Sequence, residues 1–552
     1  MTVWSFFARH DGLVAACQLG CWLVLLVGSG PALLREARAL GLRSRVLVGA
    51  IVVGAFAICA AWFPTFERFA ALGHEASYAE CFLGQSTPSS EHGWQPYVTY
   101  PVIRWGYWAL GGLVGREDLA PLLVFNMAVR AATVGLFAML ARAVFRRDTA
   151  AVAGGLLLAL QPTHAFWGTG IYNVAVPMFF VVLCVLQAVL AWRDGDRLLL
   201  AAAAASGSLV VATRVEWGIL APSLAVLLFG GLGARWGRSA AVATRRFWAP
   251  ALVLVVLYGT TIGAGAGALT TQGGYHGIGG YLATMGRQAW ILDFFSPLHA
   301  PWGVALVLLG GVAAWQEDRR LPLGLLGFAV LSHCALATFN DFAYRHDLLP
   351  SVSLLLLGAR AGAEAWAEVP AWRRGLGAVL LLATLATGVS AISTNVERYY
   401  ASVEDFQAAH EATAGPTVQH AELEDGSCYL ITDNERLWSM ELAGSHFNLM
   451  EPGEAATHWQ DHDGCIIWLY DFTDWRVDGL AVRSRALKLR KWFSWEPMGQ
   501  ASFPDGHEAV LYRMTEPPWG LSEPPPGWGW GGEEEVGGEE EQGEPAMEPE
   551  GE

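Results

Sequence analysis

Lysine is almost absent from this chain, and only Lys488 and Lys491 occur, so Arg carries nearly all of its positive charge. Charged residues of every kind make up just 16% of the 552. The eight Cys contain no C-x-x-C pair, which leaves a zinc ribbon or a thioredoxin-like centre without support. No HExxH occurs, so His458, Asp461, His462 and Asp463 read as a solvated polar loop rather than a metal centre. The Gly-rich stretch 270–300, with Tyr275, His276 and Tyr281, lacks the spacing that cradles a phosphate ahead of a helix, which argues against a nucleotide site. Between positions 516 and 552 there is no Lys or Arg but there are twelve Glu, which supply twelve of the sixteen net negative charges. The acidity belongs to a tail, and no nucleic-acid partner is expected.

Apolar residues are what the chain has in abundance, at 53% with a mean hydropathy of +0.34. Such a balance makes a bilayer the main solvent. About 20 apolar residues are needed to cross about 30 Å of hydrocarbon as a helix. About twelve runs qualify, at 12–34, 46–63, 119–140, 150–165, 171–192, 198–212, 218–232, 248–269, 301–315, 321–337, 348–362 and 375–392. Cys17, Cys21, Cys59, Cys184 and Cys334 fall inside these runs and read as small apolar side chains.

Arg gathers in alternate loops, as short cytoplasmic loops require. Arg35, Arg38, Arg43 and Arg45 follow the first run; Arg142, Arg146 and Arg147 the third; Arg193 and Arg197 the fifth. Arg235, Arg238, Arg245 and Arg246 follow the seventh, Arg319 and Arg320 the ninth, while Arg373 and Arg374 precede the twelfth. This pattern places the loops 64–118 and 270–300, and everything after Ser393, on the outer side. No basic segment precedes the first run, so it reads as a retained span and not as a cleaved signal.

Three regions result: a transmembrane domain over 1–393 with a long first outer loop at 64–118, a small exoplasmic α/β domain over 394–514, and a disordered Pro/Gly/Glu-rich tail over 515–552. In the α/β domain, strands are expected at 428–432, 465–470 and 509–512, with a helix at 435–449. Cys428 and Cys465 are candidates for a disulfide, because the outer side of a membrane permits one.

Ionisable residues in or beside membrane spans are functional candidates by default. On this topology four groups lie towards the outer side: His74-Glu75-Ala76-Ser77-Tyr78-Ala79-Glu80, Thr213-Arg214-Val215-Glu216-Trp217, Tyr344-Arg345-His346-Asp347 with Pro350, and Arg130 within the third run. Each has a plainer reading. Arg214 and Arg345 suit snorkelling to the headgroups, Glu75 a solvated loop, and Arg130 the satisfaction of neighbouring helices. Trp94, Tyr97, Tyr100, Trp105, Tyr107 and Trp108 suit an interfacial belt as well as a sugar platform.

The order of these groups resembles the GT-C superfamily of polyprenyl-phosphate-sugar glycosyltransferases, near the lipid A aminoarabinose transferases and the protein O-mannosyltransferases. In that family the first outer loop opens with Asp-Glu-x-x-Tyr, often followed by Ala-Glu, matched here by His74-Glu75-Ala76-Ser77-Tyr78-Ala79-Glu80. An aromatic, Pro-led amphipathic helix follows in the family, and Tyr97-Val98-Thr99-Tyr100-Pro101 answers to it. Arg130 resembles the Arg early in the next span, Gln161-Pro162-Thr163-His164 the Ser-Pro turn, Thr213-Arg214 the Thr-Lys or Thr-Arg turn, and Arg345 with Pro350 the Arg-Tyr-x-x-Pro segment. The likeness spans roughly 46–393. His74 stands where the family has its catalytic Asp, and Asn173 where many relatives carry a second acid.

The resemblance implies an inverting transfer of a sugar from a polyprenyl-phosphate donor to a lipid, glycan or protein acceptor at the outer face of a bacterial inner membrane. Glu75, coupled to His74, would be the general base, while Arg345, Arg214, Tyr78 and Arg130 would hold the donor and its phosphate. No metal ligands are identified, and a divalent metal is left open. Two other readings stand beside this one: a lipid-linked glycan transporter or flippase, and a catalytically silent relative in an envelope assembly, for which His74 in place of Asp is the argument.

Overall fold

A computed structural model describes residues 11–62, 120–168, 174–232, 301–336, 348–367, 369–393, 429–432, 466–471, 494–502 and 508–516. The chain divides into two compact units, Met1–Glu404 and Asp405–Glu552.

The first unit is helical. Its elements are α1 (Asp11–Ala39), α2 (Leu42–Ala61), α3 (Ala120–Phe145), α4 (Asp148–Ala159), α5 (Pro162–Trp167), α6 (Ala175–Asp194) and α7 (Arg197–Thr213). A 3₁₀ turn (Val215–Ile219), α8 (Leu220–Ala225) and a π-helical turn (Val226–Leu232) follow, then α9 (Pro301–Glu317), α10 (Arg320–Leu336), α11 (Leu348–Glu364) and α12 (Ala371–Ser393). Helical structure therefore occupies eleven of the twelve expected runs, and the run at 248–269 lies outside the described residues. By length and composition, four of these helices suffice to cross a membrane: Leu42–Ala61, Leu123–Phe145, Ala175–Asp194 and Ala371–Ser393. The chain is a multi-pass membrane protein.

The burial pattern follows from lipid as solvent. α6 is buried nearly all round, whereas α2 and α12 expose Val46, Val53, Val379 and Leu382, as lipid-facing helices do. With lipid as apolar as Leu, close approach of small residues and interhelical hydrogen bonds hold such helices together. Gly231 touches the backbone of Gly324, and Gly310 lies against the Leu357 carbonyl. Gln187 on α6 donates from Nε2 to Ser29 Oγ of α1 and accepts at Oε1 from Ser206 of α7, at 2.5 and 2.7 Å. That clamp fixes α1, whose own sequence signal is the weakest of the series.

One end of the bundle is closed by ionic contacts. Glu36 of α1 pairs with Arg142 of α3 and Arg193 of α6. Arg142 also reaches Asp148 at 2.9 Å, and Asp148 accepts from the Gly41 amide at 2.7 Å. Arg193 pairs with Asp194, while Gly195, in the left-handed region at φ 75°, ends α6. A second group continues the line: Glu317 of α9 binds Arg147 at 2.8 Å and Arg360 of α11 at 2.6 Å, and Glu364 binds Arg360 and Arg373. Arg373 also donates to Gln316. These contacts come from five of the six Arg-collecting loops of the sequence, the one at 235–246 lying outside the described residues, and they put those five at one end, as alternation across a bilayer requires.

Among the described residues, two spans are interrupted away from this end. α4 stops at Ala159 and α5 begins at Pro162, the residue type suited to a first helical turn. α7 stops at Thr213, and the segment beyond passes through 3₁₀, α and π geometry before Leu232.

In the second unit the described strands are β1 (Tyr429–Thr432), β2 (Ile466–Asp471), β3 (Ser494–Ser502) and β4 (Glu508–Glu516), in the order β1-β2-β4-β3. β1 and β2 run parallel, and the other neighbours antiparallel. Three of these strands match the expected ones. β3 was not expected, because Pro497 and Gly499 break its alternation. It is an edge strand whose pairing shifts between Pro497 and Gly499, the setting in which Pro is tolerated. The expected helix at 435–449, the cysteine pair and the acidic tail lie outside the described residues.

Candidate functional site

Two of the six site residues expected from sequence, Arg130 and Arg214, lie among the described residues, both away from the ionic contacts. Arg130 lies twelve residues before Arg142 on α3, about 18 Å along the axis. Arg214 follows α7, seventeen residues and about 25 Å beyond Arg197.

Arg130 is fully buried. Its Nη1 donates to Ala55 O at 2.7 Å and to Cys59 Sγ at 2.8 Å, both on α2. Nη2 donates to Ala159 O at 2.5 Å, and Nε to His164 O at 3.3 Å. A guanidinium has five N–H donors, so protein atoms take four. The reason is local. Where a helix stops inside a membrane, its last carbonyls have neither water nor a following turn, and each orphan is costly. Ala159 O is such an orphan at the end of α4, and Arg130 satisfies it. His164 Nδ1 lies 3.2 Å from Leu158 O, one carbonyl earlier. A carbonyl only accepts, so Nδ1 carries the hydrogen of that contact.

Gln161 starts α5. Its Oε1 accepts from the His164 amide at 2.7 Å, the bond of an N-cap side chain to the third helical residue. Gly168 packs against the Arg130 stem, where a Cβ would stand 3.3 Å from Cδ. The Gln161-Pro162-Thr163-His164 turn is thus a welded joint between α2, α3, α4 and α5. Sequence marked the turn through Pro162 but could not show that the partners of Arg130 are backbone carbonyls.

Arg214 is 5% exposed, and its guanidinium carbon lies 5.5 Å from the centre of the buried Trp217 ring. Cation–π attraction of this kind strengthens when the pair is removed from water. The Arg214 amide closes α7 on Val210 O at 2.8 Å, and its carbonyl accepts from Trp217 N at 3.0 Å. The helix break thereby holds the guanidinium in the protein instead of letting it snorkel. Trp217 is a residue that its position three after Arg214 could have marked as a partner.

Glu75, His74, Tyr78 and Arg345 lie outside the described residues, as does Asn173. Among the described residues no group of three or more His, Cys, Asp or Glu is placed to hold a metal ion.

No family model matches the chain, and no curated protein does. Among solved structures, it is similar to the crystal structure of ArnT from Cupriavidus metallidurans bound to undecaprenyl phosphate, at 12% identity and a TM-score of 0.47, over 85% of this chain and 97% of that one. It is also similar to the apo state of the same protein, at 14% identity and a TM-score of 0.42, over 84% and 97%. Both scores fall below 0.5, and the functional reading rests on the residues of this chain.

Proposed function

We propose that this protein is a GT-C-type glycosyltransferase that moves a sugar from a polyprenyl-phosphate donor to an acceptor hydroxyl at the outer face of a bacterial inner membrane, with inversion. The observation that carries this reading is Arg214: a buried guanidinium held at a helix break, at the end of the bundle away from the basic loops, in the Thr-Arg turn that resembles the family's own.

The chemistry asks for such a group. When the anomeric C–O bond breaks, its electrons pass to a phosphate that is already acidic, so the leaving group needs cations rather than a proton. Guanidinium groups match phosphate oxygens in shape and charge. Arg214 and Arg345 take that role here, with Tyr78 beside the donor. The one N–H of Arg130 left over from its carbonyl contacts is what that residue has to offer a phosphate. The attacking hydroxyl must lose its proton, and Glu75, coupled to His74, accepts it. General base catalysis of this kind contributes about 10²- to 10⁴-fold.

The test is turnover of undecaprenyl-phosphate-linked sugars by the purified protein and by Glu75→Gln. Wild-type turnover with a loss of at least about 100-fold in the variant supports the scheme. Full activity in the variant removes the proposed base. Absence of turnover in both favours the silent relative, which His74 in place of Asp already suggests.

One observation favours a second reading. The interrupted stretch from Arg214 to Leu232 is the kind of broken helix that lines transporter sites. Flipping of a fluorescent lipid-linked glycan by proteoliposomes, without transfer, would support a flippase in place of the enzyme.

A further inference from the structure

The ionic contacts between the basic loops go further than topology. They comprise five guanidinium groups and five carboxylates in eight ion pairs. Each of Glu36, Glu317 and Glu364 is shared by two Arg from different elements. The line of contacts joins α1, α3, α4, α6, α9, α11 and α12. All of these helices except α4 would have to break an ion pair with a buried partner in order to leave their neighbours at this end. Glu364, 0% exposed, pairs with Arg373 of α12, and Arg360, 3% exposed, pairs with Glu317 of α9, so moving α11 away from either helix would strip a buried charge of a partner, which is unfavourable. Away from the belt the character is the reverse, since the two helix interruptions among the described residues, at Gln161 and at Arg214, lie there.

We propose that this belt of charges is a permanent closure of the basic, cytoplasmic end, and that opening for ligands is confined to the opposite end, where the helices are jointed. The bundle then has one-sided access. This goes beyond the glycosyltransferase reading, because it holds whatever chemistry the outer end performs, and it denies the molecule the inward-open state that a transporter needs.

Ala143 and Ala363 are fully buried and adjoin Arg142 and Glu364, whereas Ala39 is exposed at the same end. The full chain in nanodiscs, with Ala143→Cys, Ala363→Cys or Ala39→Cys, is treated with a membrane-impermeant maleimide, and the background of the native cysteines is subtracted using the wild type. Both buried reporters should react at least tenfold more slowly than Ala39→Cys, with and without added undecaprenyl phosphate. Adding Glu36→Gln and Glu317→Gln to the same proteins should raise the buried rates at least tenfold. Should one reporter variant fail to fold, the other carries the measurement. Reaction of a buried reporter within tenfold of Ala39→Cys in either condition overturns the closure, and so do rates that ignore the loss of the two carboxylates. Shielded reporters in a protein that shows no sugar transfer would refute the enzyme reading and leave the closure standing.

Discussion

Replacing Arg130 tests whether the joint at the α4–α5 break is held by the shape of a guanidinium or merely by a positive charge. The side chain makes four hydrogen bonds that tie α3 to α2, α4 and α5. Interhelical hydrogen bonds in membranes are worth about 0.6 kcal/mol each on average and about 1.7 at most. Four of them lost in Arg130→Met give about 2 kcal/mol, with part offset by removal of a buried charge. Arg130→Lys keeps the charge but has three donors from one nitrogen, which cannot reach acceptors spread over three helices. It strands a cation with fewer partners, and breaking the compensation of a buried charge costs about 3–5 kcal/mol. The expected order is therefore wild type, then Met, then Lys, although Lys is the nearer chemical relative. Reversible unfolding in mixed micelles, titrated with SDS and followed by circular dichroism, measures it. A Lys variant as stable as wild type would refute the argument that the planar fork is what the joint requires.

Two further substitutions test the packing. Gly310→Ala places a methyl group into the Leu357 carbonyl and should cost about 1–3 kcal/mol in the same titration. Gly311→Ala, with open space around its Cβ, should stay within about 1 kcal/mol of wild type or gain from better helix propensity. Gln187→Leu removes both bonds of the α1 clamp and should cost about 1 kcal/mol, with α1 amides exchanging faster than those of α6 in hydrogen-exchange mass spectrometry.

Much of the helical unit was legible in the sequence because lipid imposes one rule on every span: long apolar runs with internal hydrogen bonding. The positions of α1 to α12 followed from that rule, and so did the gathering of the basic loops. What escaped was the acidic half of the belt. Glu36, Glu317 and Glu364 are single acids at the ends of apolar helices, and they gain meaning only from Arg far away in the chain. Arg360 and Glu364, four apart on α11, were the one local signal. Strand β3 was hidden for a different reason, since an edge strand with a bulge does not keep the alternation that sequence reading relies on. Arg130 and Arg214 stood out as ionisable groups in spans. Their partners, backbone carbonyls and an indole face, leave no trace that spacing could reveal.

The two buried cations differ in what surrounds them. Each sits where a span stops, because the carbonyls at a helix C-terminus carry partial negative charge and draw a guanidinium. At Arg130 the carbonyls of two helix ends and one continuous helix converge on the group, and four of its five donors are bound within the protein. Such an Arg braces the scaffold, and little of it remains for a ligand. At Arg214 the α7 terminus is closed by the backbone amide, and the guanidinium instead lies beside the Trp217 ring. The ring face attracts the cation and helps to hold it within the protein. Of the two, Arg130 is the one that keeps the neighbouring turn in place.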